Sequence, residues 1–468
     1  MNKNNKIYNG ILAGIWYTAG NLIIKGLPFF TLPIFTRLLS PEDFGLYNTY
    51  LSYEAILGIV LGLGISGTIK TAKFEFEGNF DKYIISVYLL EFFFLTITLP
   101  VILSVYFLFV KDSWITLNLI LLLIFHSLAS AIISITSCFY VIEGRYKSNL
   151  TITFLNTFLN IIISIILCYT YYSEKRYLAR IYGTAIAIIF IAALSIKKHF
   201  QINRHLKINM IHYKYALNMG IPLLPHLLSL TLLSSCDKIM IQKLIGSSQA
   251  GIYSVAVNIM TILTVFVTSI ENAWAPWYYK NLSCSNYSYI FKKNNTLTIF
   301  FGYLTAGFLL ISPELVHFFS EEKYWMSLNA LYPLIISVFL SFGYLYFVNM
   351  EYFKKKTIYI SYSTIICAIT NIILNYFLIN LWGYIGAAYA TCLSKLLLLF
   401  IHYMKSKQLL KEEIASFNII FSIAVFLTLL IVFMKFFEFS IFIRYSIGVM
   451  LTIILTCYLK KRNLRKEL

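Results

Sequence analysis

The chain is poor in charge, poor in connections and almost without recognisable catalytic motifs. Asp, Glu, Lys and Arg make up only 12% of its 468 residues, whereas hydrophobic residues make up 59%. Soluble domains carry about a quarter charged residues, so a soluble globular chain is excluded. Acidic residues are scarcer than basic ones, 20 against 38, which leaves a net charge of +18. No Walker A sequence occurs, so the chain does not itself hydrolyse ATP. The seven cysteines form no CxxC pair and read as small core residues rather than disulfides or metal ligands. No connection between apolar runs exceeds about 20 residues, which leaves no room for a soluble domain.

What remains is a succession of apolar runs. They fall at about 10–36, 46–68, 83–110, 115–142, 149–172, 178–196, 215–242, 250–272, 294–312, 328–350, 357–379, 383–402, 417–437 and 440–459. Each is close to the 20 or so residues that a membrane helix needs, so an all-α polytopic membrane protein with fourteen transmembrane helices is expected. The N-terminal run is longer than a signal peptide and lacks an A-x-A-like cleavage site, and reads as a retained first span. With both termini inside, 26 Lys and Arg fall on cytoplasmic segments, 9 on outer loops and 3 within spans. That asymmetry follows the positive-inside rule and accounts for the basic excess without nucleic acid.

The chain also repeats itself. TRLLSPEDFGLY at 36–47 and QKLIGSSQAGIY at 242–253 match in order, 206 positions apart, and GTAIA at 183–187 is echoed by GAAYA at 386–390, 203 positions apart. An interval of this length holds six spans. Spans one to six and seven to twelve are therefore read as two pseudo-symmetric copies, residues 1–206 and 207–412, with two further spans and a basic tail at 413–468.

Helix breakers mark the first span of each copy: Gly20, Gly26, Pro28 and Pro33 in span one, and Gly220, Pro222 and Pro225 in span seven. Broken helices at matching places of two halves point to a transport site, because the freed backbone needs a water-lined cavity. Kinks that only shape packing are the other reading. With Arg180, Lys435 and Arg444, near run ends, counted to the outer segments, seven charges are assigned to the spans themselves: Lys25, Glu54, Glu91, Asp237, Lys238, Glu271 and Lys395. At about 3 kcal/mol each they could not all face lipid. At 1.5 Å per residue Lys25 and Lys395 lie about 18 Å deep, Glu54 about 13 Å and Glu91 about 12 Å. Lys25 and Lys395 are thus candidate cavity cations for an anionic headgroup such as a phosphate or pyrophosphate, Lys238, beside Asp237 at the end of the broken span seven, is a third candidate, and structural salt bridges are the alternative. Glu54 and Asp237 are candidate partners in ion pairs, and Glu91 is a candidate proton or sodium carrier. Glu271 reads as interfacial. His126 and His226 stand alone on apolar helices and suggest no metal site.

The stretches LPIFTRLLSPEDFGLYNTY, SSCDKIMIQKLIGSSQAGIYSVAVN and WGYIGAAYAT resemble the oligosaccharide flippase family, the Wzx-type O-antigen and polysaccharide exporters of the MATE-like superfamily. The resemblance runs over essentially the whole chain. It implies a carrier, not an enzyme, that moves an undecaprenyl-pyrophosphate-linked oligosaccharide from the cytoplasmic to the periplasmic leaflet of a bacterial inner membrane. It further implies alternating access around a cationic central cavity, coupling to a proton or sodium gradient, and no cofactor. Its partners would be the lipid-linked sugar, membrane lipids, a polysaccharide polymerase and a chain-length regulator. Arg37, Gly45, Asp237, Lys238, Gly251 and Tyr253 are the positions that match. The expectation carries lysines, and no arginine, inside the spans. Two other readings stand beside it: a polymerase or glycosyltransferase acting on the same lipid-linked sugars, and a multidrug or cation exporter of the same superfamily. An enzyme would need a sizeable outer loop with acidic or arginine groups, and Glu42 and Asp43 in the first outer loop read instead as a turn and helix start.

Overall fold

The computed structural model describes residues 31–110, 114–170, 174–202, 209–436 and 440–461, and these are helical almost throughout, with no strand among them. Eleven of the fourteen expected runs are helical segments long and apolar enough to cross a membrane, one of them, Met210–Ile245, interrupted by a 3-10 turn. The second run is a bent pair, Pro41–Leu61 and Ile65–Glu75, turning by 55°, which makes twelve if it counts as one span. The fourteenth is the shorter apolar helix Ile441–Cys457, and most of the first lies in residues 1–30, outside the described residues. This is a multi-pass helical membrane protein. Apolar side chains line one another inside and face outward elsewhere: Tyr146–Thr170, for example, is mostly uncovered, as a helix against lipid would be.

The chain packs as two compact units, Met1–Ile239 and Met240–Leu468. Within the first, span six lies along spans five and four, and span four along span two; within the second, span twelve lies along spans eleven and ten, and span ten along span eight. The weaker contacts of two with six, four with five, three with four and two with three likewise recur as eight with twelve, ten with eleven, nine with ten and eight with nine. Helix order in sequence therefore produces the same neighbours twice, which is the expected consequence of a duplicated sequence.

Both copies of the first echo sit at a helix start, with different local chemistry. Ser40 is the N-cap of Pro41–Leu61 and Gly246, its counterpart 206 positions on, is the N-cap of Ser247–Ser283. Ser40 Oγ accepts from the Asp43 N–H at 3.0 Å and the Asp43 carboxylate accepts back from the Ser40 N–H at 3.4 Å, a capping box. Such a cap contributes about 1 kcal/mol. Asp43 also accepts from the Tyr177 N–H at 3.2 Å, tying the second span to the sixth. Behind each cap a glycine and a tyrosine turn inward: Gly45 and Tyr47, then Gly251 and Tyr253, are all buried. The second echo marks close helix approach. A Cβ at Gly183 would lie 2.2 Å from Ser164 Oγ, and one at Gly386 would lie 1.9 Å from the Leu378 carbonyl oxygen.

The last two helices, Phe417–Phe436 and Ile441–Lys461, both pack on Tyr287–Phe319. There the Arg444 guanidinium forks onto the Glu314 carboxylate at 2.8 and 2.5 Å. The cysteines are all free, but Cys284 and Cys457 are exposed rather than core.

Candidate functional site

The break in span two shapes the site. Pro41–Leu61 ends at Gly62, the chain turns left-handed at Leu63 and Gly64 with φ of 51° and 66°, and helix resumes beyond. Glycine is required at 64 on two counts, since a Cβ there would be strained and would sit 2.8 Å from the Gly220 carbonyl oxygen. Gly220 in turn sits at the break in Met210–Ile245, where a 3-10 turn over Ile221–Leu223 interrupts the helix. A Cβ on Gly220 would meet the Leu63 carbonyl oxygen at 2.5 Å. The two broken helices thus meet backbone to backbone.

Beside this junction lies a cavity of about 140 Å³. Glu54 and Glu91 both line it, with Ser130 and Ser134 of Leu117–Ile142 and the small residues Gly58 and Gly62. Glu91 is fully buried, and neither of its carboxylate oxygens has a hydrogen-bond partner among the described residues. Glu54 is half-buried, and its side chain is hydrogen-bonded by Ser130. The void exists because glycines stand where side chains would reach: a Cβ on Gly62 would lie 3.7 Å from Glu91 Oε1, and one on Gly58 would lie 3.8 Å from Glu54 Oε1. Two carboxylates and two hydroxyls in an apolar wall form a set of hard oxygen donors, suited to a proton or an alkali cation rather than to a soft metal. Among the described residues no group of three or more His, Cys, Asp or Glu side chains is placed to hold a metal ion.

The other expected residues are spread over the fold. Lys25, Gly26 and Pro28, like Gly20, lie outside the described residues, so the pairing of Glu54 with Lys25 does too. Pro33 is half-buried in the helical stretch 31–38. Pro222 is in the 3-10 turn and Pro225 opens Leu224–Ile245. Farther along the same helix Asp237 is buried and Lys238, half-buried, interacts electrostatically with it. Lys395 is half-buried on Tyr384–Leu409, within electrostatic reach of Cys367. The structure therefore joins Glu54 to Glu91 across three helices.

Three features escape a reading by hydropathy. The break at Gly62–Gly64 sits in span two, whereas breaks were expected in spans one and seven. Arg180, near the outer end of the expected run 178–196, was counted with the outer charges, but it lies inside the spanning helix Arg176–Gln201 and is buried there. Its guanidinium donates to Asn160 Oδ1 at 2.7 Å and Ser164 Oγ at 3.0 Å, and stacks over the Phe35 ring at 3.7 Å. Third, Glu351, just past the expected end of span ten, and His402, the last residue expected in span twelve, are fully buried, with His402 Nδ1 2.9 Å from Glu351 Oε1. Tyr344 packs edge-on to that imidazole at 4.9 Å. Of the two histidines that suggested no metal site, His126 is buried, with Nδ1 3.3 Å from the Tyr50 hydroxyl.

A helical membrane protein with a duplicated neighbour pattern and a carboxylate-lined cavity beside paired helix breaks is the class that these features define. A family model described as "Polysaccharide biosynthesis protein" matches residues 13–282, more than half of the chain, and the chain belongs to that family. It is 24% identical over 405 residues to the capsular polysaccharide biosynthesis protein CapF of Staphylococcus aureus, covering 83% of this chain and 97% of that one. It is likewise 24% identical over 380 residues to Lsg locus putative protein 1 of Haemophilus influenzae, covering 75% and 87%. Among solved structures, the lipid II flippase MurJ in an inward closed conformation superposes with a TM-score of 0.71 at 15% identity, covering 96% of this chain and all of that one. An inward-facing multidrug resistance MATE transporter of the MOP superfamily gives 0.59 at 14% identity, covering 84% and 94%. At these identities the likeness shows a shared fold, the MATE-like one expected from the sequence.

Proposed function

We propose that the protein is a flippase that carries an undecaprenyl-pyrophosphate-linked oligosaccharide, the repeat unit of a surface polysaccharide such as O-antigen or capsule, from the cytoplasmic to the periplasmic leaflet of the inner membrane. Family membership, the capsular relative and the flippase fold support transport of lipid-linked sugar in place of sugar chemistry. The step is driven by a proton or sodium ion that moves against the substrate by alternating access, with both termini cytoplasmic and with the polymerase and chain-length regulator of the same polymer as partners. Lys25, Lys238 and Lys395 are the cations proposed to meet the pyrophosphate, and the 206-residue repeat is the proposed unit of duplication, giving the division 1–206, 207–412 and 413–468.

The observation that carries the coupling is Glu91, a partnerless buried carboxylate facing a cavity with Glu54. A bare carboxylate in a dry interior needs a countercharge, and a proton or sodium ion is small enough to supply it. A multidrug exporter would also use unpaired carboxylates. At about 140 Å³, however, the cavity is well below the roughly 300 Å³ at which drug-sized pockets begin, so it fits an ion and its water rather than a drug.

The test uses proteoliposomes holding a fluorescent undecaprenyl-pyrophosphate oligosaccharide, with outward movement read by accessibility to an external quencher under imposed proton or sodium gradients. Acceleration by one of the gradients in the wild type, lost in Glu91→Gln with gradient-free exchange retained, is the expected result. Equal gradient responses in both proteins would remove the cavity from the coupling, and no movement of the lipid in the wild type would overturn the flippase reading.

A further inference from the structure

A second pocket lies in the first unit, between the lysine-rich ends of Tyr146–Thr170 and Arg176–Ile202. Its volume is about 260 Å³. Lys147 and Lys198 stand at its mouth with their side chains exposed, and Ile152, Leu155 and Leu194 form an apolar wall that continues onto uncovered helix faces. At its base is Tyr140. The Tyr140 ring is only 1% exposed, and its hydroxyl has no hydrogen-bond partner among the described residues. Lys198 Nζ hangs 5.2 Å from the centre of the same ring. The nearby carboxylate of Glu143 does not cancel these cations, because Lys73 is bound to it.

A buried hydroxyl left without a partner is costly, and this one belongs to a residue that lines a pocket bordered by two exposed lysines and an apolar slope. We propose that this groove binds the headgroup phosphate of an anionic phospholipid from the surrounding leaflet, with Lys147 and Lys198 on the phosphate charge, the Tyr140 O–H donating to a phosphate oxygen, and the acyl chains lying on Ile152, Leu155 and Leu194. Basic pockets between membrane helices take such headgroups. The dimensions choose the source: about 260 Å³ accommodates a phosphoglycerol headgroup but not the sugars of a lipid-linked oligosaccharide. The site is independent of the coupling cavity and of the flippase reading.

Native mass spectrometry of the full-length protein released from nanodiscs of mixed phosphatidylglycerol and phosphatidylethanolamine tests it. Phosphatidylglycerol should be retained over phosphatidylethanolamine by the wild type. Retention should fall about five-fold for each of Lys147→Ala and Lys198→Ala, and about tenfold for Tyr140→Phe, which keeps the ring and removes the donor. Thermal stability in detergent, measured in parallel, should leave Lys147→Ala unchanged, so lost retention cannot be put down to unfolding. Equal retention of the two lipids by the wild type, or undiminished phosphatidylglycerol on the double lysine variant, would overturn the proposal. Displacement by inorganic pyrophosphate would assign the groove to a soluble anion, and preferential retention of undecaprenyl pyrophosphate would assign it to the transported lipid; either result rejects the phospholipid.

Discussion

The two units bury a glutamate in opposite ways. Glu91 and Glu351 are both fully buried on long apolar helices. Glu351 meets His402 at 2.9 Å across two helices that stay continuous, so the carboxylate is held by its own fold. Glu91 faces a cavity opened by the broken span two, and nothing among the described residues bonds to it. A continuous helix pair closes over a polar side chain, whereas a break leaves room that only a small ligand fills. The difference separates a carboxylate that fastens helices from one that is proposed to take and release a cation.

The largest expected effect breaks this comparison directly. Removing one partner of a buried pair strands the other, at about 3–5 kcal/mol. His402→Ala and Glu351→Ala should therefore each lower the thermal midpoint in detergent sharply, and the double variant should lose much less than the two losses added together. Glu91→Gln should do the reverse. It removes a buried charge that has no partner to strand, so the midpoint should hold or rise. A loss in Glu91→Gln comparable with that in His402→Ala would mean that Glu91 is a fastening residue after all.

Next in size is the break itself. Gly64→Ala combines left-handed strain of about 1–2 kcal/mol with a forced approach to the Gly220 carbonyl, and about 2–4 kcal/mol in all is expected. Gly78 provides the control, because its φ is 88° but no atom lies within 4 Å of a Cβ added there. Gly78→Ala should show the strain alone, about 1–2 kcal/mol. Equal losses from the two variants, read by thermal unfolding, would mean that the contact between the two helix breaks contributes nothing.

How much of this could be read from residues alone follows from what a hydropathy window measures. Eleven spans stood out because lipid demands about 20 apolar residues whatever their facing. Glu54 and Glu91 stood out because charge inside such a run is expensive, each lying about 12–13 Å from the starting end of its own span. That they share a cavity was not legible, since depth carries no information about the direction a side chain takes around its helix. Arg180, Glu351 and His402 were missed for one shared reason. The helices run on past the apolar windows, to Arg176 at one end and to Phe353 and Leu409 at the others, so Arg180 two residues inside one window, His402 at the last position of another and Glu351 one residue past a third all read as span boundaries rather than as core. The break at Gly62–Gly64 was hidden inside LGLGISG, where average hydropathy stays high while the backbone turns left-handed. The repeat was the reverse case. Helix starts at Ser40 and Gly246 are set by residues adjacent in the chain, so they are legible as a short motif.

The smallest effect sharpens the comparison most finely, because it separates the cavity from the helix that carries it. Gly58 and Gly307 are both interior glycines of long helices, one in each unit. Alanine gains up to about 1 kcal/mol over glycine in a helix interior, provided that the added methyl meets no obstacle. At Gly307 no atom lies within 4 Å of the new Cβ, and at Gly58 the nearest are the Ser127 carbonyl at 3.6 Å and Glu54 Oε1 at 3.8 Å, ordinary contacts. Both variants should therefore be slightly more stable, by a few tenths to about 1 kcal/mol. Their transport should differ. The Gly58 methyl enters the cavity beside Glu54 and should weaken the gradient response, whereas the Gly307 methyl should leave it unchanged. If Gly58→Ala gains stability and responds to the gradient as fully as Gly307→Ala, the space between the two carboxylates is packing slack and does not hold the driving ion.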